Sequence, residues 1–143
     1  MEICELPLVL MADDDNDNWL LVKDAFDASG ARVMMNFVED GTELLNYLST
    51  CGTPPALILL DLNMPLKDGL QALKEVKSDP SLQNIPIVVL TASQEKDDLI
   101  KCREAGANSF ISKPASFSEW IQIMRSLADT WLVAKHSINM ARI

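Results

Sequence analysis

Residues 6–15 read LPLVLMADDD, and residues 55–61 read PALILLD. In each stretch an uninterrupted apolar run stops at aspartate, at Asp13 in the first and at Asp61 in the second. Apolar runs of this length are typical of parallel strands that are buried on both faces. In open parallel sheets, ligands bind outside the carboxyl ends of the strands. The two stretches therefore predict two buried strands whose acidic ends lie close together.

Further apolar runs alternate with segments of helical periodicity along the chain. The predicted strands cover residues 7–12, 31–38, 56–60, 85–90 and 108–111, all interpreted as buried on both faces. Right-handed crossovers between parallel strands place helices on both sides of a sheet. The sequence therefore predicts the α/β class, as a doubly wound five-stranded parallel sheet flanked by five helices. At 143 residues we expect one domain, with a core over about residues 7–130 and a C-terminal extension over 131–143.

Capping residues mark the predicted helix ends. Asp15 is interpreted as an N-cap of the first helix, and Gly30 as its stop. Asp40 with Glu43 predicts a capping box on the second helix. The pattern thus sets helix boundaries independently of the strands.

The last predicted helix is unusually apolar. Ser116 with Glu119 predicts its capped start, and its helical stripe comprises Trp120, Met124, Leu127, Trp131 and Ala134. Further apolar residues lie beside that stripe, namely Ile121, Ala128 and Leu132. They indicate either a broad core face or a surface for a partner.

Composition excludes several classes of protein. Twelve basic against twenty-one acidic residues give a formal charge of −9, which argues against direct nucleic-acid binding. The apolar runs are shorter than the ~20 residues that span a bilayer, and the N-terminus lacks a signal-peptide pattern. We therefore expect a cytoplasmic protein without membrane contact. Cys4, Cys51 and Cys102 are expected to be reduced thiols.

The aspartates at the strand ends predict a metal-assisted site. Carboxylates of Asp13 or Asp14 close to Asp61 repel, by ~4 kcal/mol for a pair at ~4 Å and an effective dielectric near 20. Mg²⁺ resolves this conflict with oxygen ligands, and a carboxylate can then act as a nucleophile toward phosphorus. Helix capping accounts for Asp15, but capping alone leaves the convergence of two acidic strand ends unexplained.

Four motifs in register resemble those of the response-regulator receiver family. They are VLMADDD at residues 9–15, LILLDLNMPLKDG at 57–69, VVLTAS at 88–93 and SFISKP at 109–114. The resemblance covers about residues 8–127. It implies a flavodoxin-like fold with strand order 2-1-3-4-5, and a phosphorylation switch.

The family's site residues map onto matching positions of this sequence. The resemblance implies that Asp61 is the phosphoacceptor and that Mg²⁺ is bound by Asp14, Asp61 and the backbone carbonyl of Asn63, with Asp13 acting through water. It also implies that Thr91 binds a phosphoryl oxygen and that Lys113 pairs with the phosphate.

The resemblance further implies how the signal is passed on. Thr91 and Phe110 match the two switch residues, although Phe110 lacks the hydroxyl of the tyrosine often found there. The peptide bond before Pro114 matches a bond that is cis in the family.

Partners follow from the same resemblance. It implies a sensor histidine kinase or histidine phosphotransfer protein as donor, and a downstream protein partner. A homodimer through the fourth helix, fifth strand and fifth helix is a further expectation, because the end DTWLVAKHS is similar to single-domain bacterial receivers that accompany bacteriophytochromes. Beyond self-phosphotransfer and autodephosphorylation, no enzyme activity is implied.

Two alternatives are weighed against this interpretation. A receiver could bind partners without being phosphorylated. A phosphatase of the haloacid-dehalogenase type would also use an aspartate and Mg²⁺, but its nucleophile follows the first strand, within a DxD motif. Here the matching aspartate, Asp61, follows the predicted third strand.

Overall fold

The computed structural model describes residues 6–62, 69–92 and 96–133. Strands and helices alternate along these residues, and every predicted strand is found within a few residues of its expected bounds. The elements are β1 (Leu8–Ala12), α1 (Asn16–Ser29), β2 (Met34–Val38), α2 (Gly41–Thr50), β3 (Leu57–Leu60), α3 (Gly69–Ser78), β4 (Ile87–Thr91), α4 (Lys96–Ala105), β5 (Ser109–Ser112), α5 (Phe117–Leu127) and a π-helix (Ala128–Val133).

The five strands form one parallel sheet in the order β2-β1-β3-β4-β5. This confirms the doubly wound α/β fold and the strand order that the resemblance implied. Ala12 of β1 pairs with Leu60 of β3, so the residues that follow them leave neighbouring strands at the same level. Thr91 of β4 likewise pairs with Ser112 of β5. The register therefore aligns the polar strand ends along one edge.

The hydrophobic core lies in two layers, one on each side of the sheet. One layer packs α2, α3 and α4 against it, and the other packs α1 and α5. Strands β1, β3 and β4 are buried almost throughout, as predicted. The prediction was wrong for the edge strands: β2 alternates between exposed and partly buried residues, and β5 is only partly buried. Each edge strand has a neighbour on one side only, so the helical layers cover it less completely.

Three predicted helix starts are confirmed by their caps. The side chain of Asp15 accepts a hydrogen bond from the backbone N–H of Asp17, and Asp40 accepts one from Glu43 at 2.8 Å. Ser116 caps α5 in the same way. These side chains satisfy backbone donors that have no partner within the helix. At the other end of α1, Gly30 adopts a φ of 86°, a left-handed conformation that glycine enters without strain.

The end of the last helix differs from the prediction of one continuous α-helix. The α-helix stops at Leu127 and gives way to the π-helix, while Ala134 lies outside the described residues. Ala128 is buried in the core, and Ile121 and Leu132 pack against the same layer. The additional apolar residues thus widen the core face. This favours the interpretation as a broad core face over that as a surface for a partner.

Two further observations concern the cysteines and the lengths of the helices. Cys51 and Cys102 are free thiols, while Cys4 lies outside the described residues. Within the ranges that the structure describes, every helix is too short or too polar to cross a membrane.

Candidate functional site at the carboxyl edge of the sheet

The candidate site lies where four strands end. Asp13 follows β1, Asp61 follows β3, Thr91 is the last residue of β4, and Lys113 follows β5. Asp13 and Thr91 are fully buried and Asp61 is 6% exposed, whereas Asp14 is exposed to solvent. Buried polar residues at the end of an apolar sheet are costly unless they are paired. The edge therefore combines two buried carboxylates, Asp13 and Asp61, with the solvent-exposed carboxylate of Asp14.

Asp13, Asp14 and Asp61 form a compact acidic cluster. One carboxylate oxygen from each lies within 4.8 Å of the others. The ammonium of Lys113 lies 3.0 Å from Oδ2 of Asp13 and 3.5 Å from Oδ2 of Asp61. The Lys113 ammonium thus contacts two of the three carboxylates, those of Asp13 and Asp61. The sequence predicted that aspartates of the two strand ends converge, and the family resemblance implied a role there for Lys113, which lies 100 positions after Asp13.

Thr91 and Lys113 are linked through the backbone. The N–H of Lys113 donates a hydrogen bond to the carbonyl of Thr91 at 2.8 Å. This bond extends the pairing of β4 with β5 by one residue beyond Ser112. The backbone at the end of β4 is therefore bonded directly to the residue that carries the ammonium.

Asp13 is fixed by donors that the sequence interpretation missed. The amide of Asn18 donates to Oδ2 of Asp13 at 3.1 Å, and the indole N–H of Trp19 donates to the Asp13 carbonyl at 2.8 Å. The backbone N–H of Asp15 donates to Oδ1 at 2.9 Å. The first turn of α1 thereby holds both the side chain and the backbone of Asp13.

Trp19 is itself held by an aromatic stack. Its ring lies 4.8 Å from that of Phe37, centroid to centroid, with an angle of 18° between the ring planes. Phe37 belongs to β2, which pairs with β1 beside the site. The stack therefore ties α1 to the edge of the sheet and fixes the direction of the indole N–H.

Gly69 lets α3 begin against the backbone of the phosphoacceptor candidate. Its N–H donates to the carbonyl of Leu62 at 3.0 Å. A Cβ atom added at Gly69 would collide with the backbone oxygen of Asp61 and would lie 2.7 Å from Cα of Leu62. The close approach gives the physical reason for glycine at this position.

Comparison with known proteins assigns the family. Residues 9–125 match the model of the response regulator receiver domain. This match covers more than half of the chain. The chain belongs to the response regulator receiver domain family. The membership agrees with the acidic cluster and with Lys113 beside it.

Relatives of this receiver domain include cyanobacterial regulators. It is 32% identical over 130 residues to the response regulator Rcp1 of Synechocystis sp., covering 87% of this chain and 88% of Rcp1. The crystal structure of the phosphorylated cyanobacterial phytochrome response regulator RcpA is 34% identical, with a TM-score of 0.84, covering 91% of this chain and 96% of RcpA. The Mn²⁺-bound form of Rcp1 is 31% identical, with a TM-score of 0.79, covering 88% of this chain and 94% of that one.

The remaining predicted positions of the receiver domain are placed as follows. Phe110 lies on β5 and is half-buried beside α4, where it borders a cavity of about 240 Å³ together with Leu99 and Arg103. Asn63, whose carbonyl was predicted to bind the metal, lies outside the described residues. The expectation of a cis bond before Pro114 was wrong, because the described residues contain no cis peptide bond.

Proposed function

We propose that the chain is a phosphorylation switch in which Asp61 accepts a phosphoryl group. The observation that carries this proposal is the environment of Asp61: its carboxylate lies 3.5 Å from the Lys113 ammonium and within 4.8 Å of Asp13 and Asp14. Phosphoryl transfer asks a protein chiefly for positioning and for neutralisation of charge. Membership of the receiver family implies a kinase or phosphotransfer partner.

The residues of the acidic cluster fit a Mg²⁺ ion. The ammonium of Lys113 against three carboxylates leaves a formal excess of two negative charges, which a divalent cation would neutralise. All three side chains offer hard oxygen ligands, and the exposed Asp14 gives access from solvent. Asp14 and Asp61, with the Asn63 carbonyl, would hold the ion directly, and Asp13 through water. When bound, the ion would supply charge neutralisation to the transferred oxygens.

The protein's own groups perform the transfer. An Oδ atom of Asp61 attacks phosphorus, the bond from phosphorus to the donor's leaving atom breaks, and that atom keeps the electron pair. The donor is a phosphohistidine of a sensor histidine kinase or histidine phosphotransfer protein, or a small acyl phosphate. Lys113 neutralises the phosphoryl oxygens, and the Thr91 hydroxyl donates a hydrogen bond to one of them. The new group brings roughly two negative charges into the site.

The signal then passes from Thr91 to a surface. Movement of the β4 end toward the phosphoryl group makes room for Phe110 beside its cavity, which shifts the population of conformations. A downstream protein or a second copy would bind the face of α4, β5 and α5. On two of these elements Ile100 and Phe117 are exposed apolar side chains. On this proposal the chain acts as one receiver unit over residues 1–143 and signals by binding rather than by catalysis.

The test is phosphorylation by acetyl phosphate, followed by intact mass. With Mg²⁺, wild-type protein should gain one phosphoryl group, whereas the Asp61→Asn variant and a wild-type sample in EDTA should gain none. Asp61→Asn keeps the size of the side chain and removes the nucleophile. No gain in folded wild type that binds Mg²⁺ would overturn the proposal and favour a receiver that binds partners without phosphorylation.

The phosphatase alternative is not supported. Asp61 follows β3, the central strand, and not β1 as a phosphatase nucleophile of that type would. The match to the receiver family over residues 9–125 agrees with this placement.

A further inference from the structure

Two donors share one oxygen of Asp13. Nζ of Lys113 lies 3.0 Å from Oδ2, and Nδ2 of Asn18 lies 3.1 Å from the same atom. A carboxylate only accepts hydrogen bonds, so the NH₂ end of Asn18 faces Asp13. Asp13 is fully buried and Asn18 half-buried, so this oxygen depends on protein donors rather than on bulk water.

The Lys113 ammonium has two carboxylate partners, Asp13 and Asp61. It contacts Asp13 at 3.0 Å and Asp61 at 3.5 Å, and the proposed function requires it to serve a phosphoryl group on Asp61. When Lys113 moves toward Asp61, Oδ2 of Asp13 loses its ammonium donor. A buried acceptor left without any donor bears a full desolvation cost. Asn18 prevents that, because it remains on Oδ2 after Lys113 has gone.

We propose that Asn18 is a positioning residue that holds Asp13 and thereby allows Lys113 to move from Asp13 to phosphorylated Asp61. This inference rests on the proposed function of Asp61. Asn18 acts through Asp13 and Lys113 and does not touch the transferred group. The indole of Trp19 supports it by fixing the Asp13 carbonyl at 2.8 Å, so that the carboxylate stays opposite Asn18.

The first experiment is a double-mutant cycle on the rate of phosphorylation. At saturating Mg²⁺ and acetyl phosphate, Asn18→Ala should lower the rate about tenfold, the size expected for one hydrogen bond to a charged group. In a Lys113→Met background, followed over longer times, the same substitution should change the rate less than twofold. A purely structural role would lower both rates by the same factor and would overturn the inference.

Two control variants separate the hydrogen bond from other effects. Asn16→Ala makes the same chemical change two residues earlier in α1, at an exposed side chain without a hydrogen bond within the described residues, and should keep the wild-type rate. Asn18→Leu keeps the approximate shape of the side chain without the donor and should resemble Asn18→Ala. A wild-type rate for Asn18→Leu would overturn the inference.

A second cycle does not depend on phosphorylation. In EDTA, the unfolding equilibrium constants of wild type, Asn18→Ala, Lys113→Met and the double variant should be coupled, because the double variant alone leaves Oδ2 without a side-chain donor. We expect the unfolding equilibrium constant of the double variant to be at least fivefold larger than the value obtained by multiplying the two single effects. Strictly multiplicative effects would overturn the inference. If wild type takes no phosphoryl group but this coupling is found, the proposed function fails. The result would still support the arrangement in which Asn18 and Lys113 both donate to Oδ2 of Asp13.

Discussion

The ammonium nitrogen of Lys113 lies 3.0 Å from a carboxylate oxygen of Asp13, a residue 100 positions earlier in the chain. The side chains are only 15% and 1% exposed. Removing one partner of a buried ion pair leaves the other charge uncompensated, which costs about 3–5 kcal/mol in typical cases. Here the removal also takes positive charge away from Asp61, whose carboxylate lies 3.5 Å from the same ammonium.

We therefore expect Lys113→Met to lower the free energy of unfolding by about 3 kcal/mol in EDTA. Excess Mg²⁺ should recover part of the loss, because a divalent cation replaces the missing positive charge. Urea unfolding with and without Mg²⁺ measures both effects. Lys23→Met is the control: its ion pair with Asp27 is 3.9 Å long and mostly exposed, so the change should be within about 1 kcal/mol. Equal losses for the two variants would contradict the prediction.

Gly69→Ala should destabilise the protein although alanine favours helices. The added Cβ would collide with the backbone of Asp61 and Leu62, which cannot rotate away as a side chain can. Overpacking of this kind costs about 1–3 kcal/mol. Thermal or urea unfolding tests it. Gly52→Ala is the matched control, because nothing lies within 4 Å of its added Cβ, and its effect should stay within about 0.5 kcal/mol. A stable Gly69→Ala variant would show that α3 shifts freely.

Much of the fold follows from local pattern. The apolar runs fix β1, β3 and β4, because a strand covered by helices on both faces needs apolar residues at every position. The same rule fails for β2 and β5, since exposure there depends on strand order and not on the run itself. The π-helix after Leu127 was also beyond prediction, because the spacing of apolar residues suits an α-helix through Trp131.

The candidate site was partly predictable. Four polar residues converge as expected, because each comes soon after the end of a predicted strand. They are Asp13, Asp14, Asp61 and Lys113. Their chemical roles stay predictions. Asn18 and Trp19 were missed, since their contact with Asp13 depends on the direction in which α1 leaves the sheet. A usable signal was present: both lie in the first turn after the Asp15 cap, where helical side chains point back toward the preceding strand end.

Lys77 should be a stabilising residue far from the candidate site. Its ammonium donates to the carbonyls of Gln83 and Ile85 and to the side chain of Asn108, at 2.8–3.1 Å, which ties α3 to the starts of β4 and β5. Burial lowers the pKa of Lys77, and this desolvation offsets part of the gain. We expect Lys77→Met to cost about 1–3 kcal/mol in urea unfolding, because three acceptors lose a charged donor and one of them, the Ile85 carbonyl, is partly buried. Lys74→Met, at an exposed position on the same helix, should change little.

Cys102 should make stability depend on alkaline pH. Its thiol is buried between α4 and the sheet, and burial, with a smaller contribution from Asp98, raises its pKa above the ordinary value of 9.0. The folded state therefore keeps the thiol proton after the unfolded state has lost it. Stability contributed by the neutral thiol is fully present below pH 9 and falls as pH rises toward the folded pKa, by at most about 1.4 kcal/mol per pH unit.

The comparison of wild type with Cys102→Ala isolates this effect. Other groups titrate in the same range, so the informative quantity is the difference between the two unfolding free energies at each pH. Cys102→Ala should be less stable than wild type at pH 8, because it leaves a small cavity in the core. The gap should narrow between pH 9 and 10.5, since only the wild type then bears the cost of keeping a protonated thiol. Urea unfolding at half-unit steps of pH measures the gap, and parallel curves would contradict the prediction.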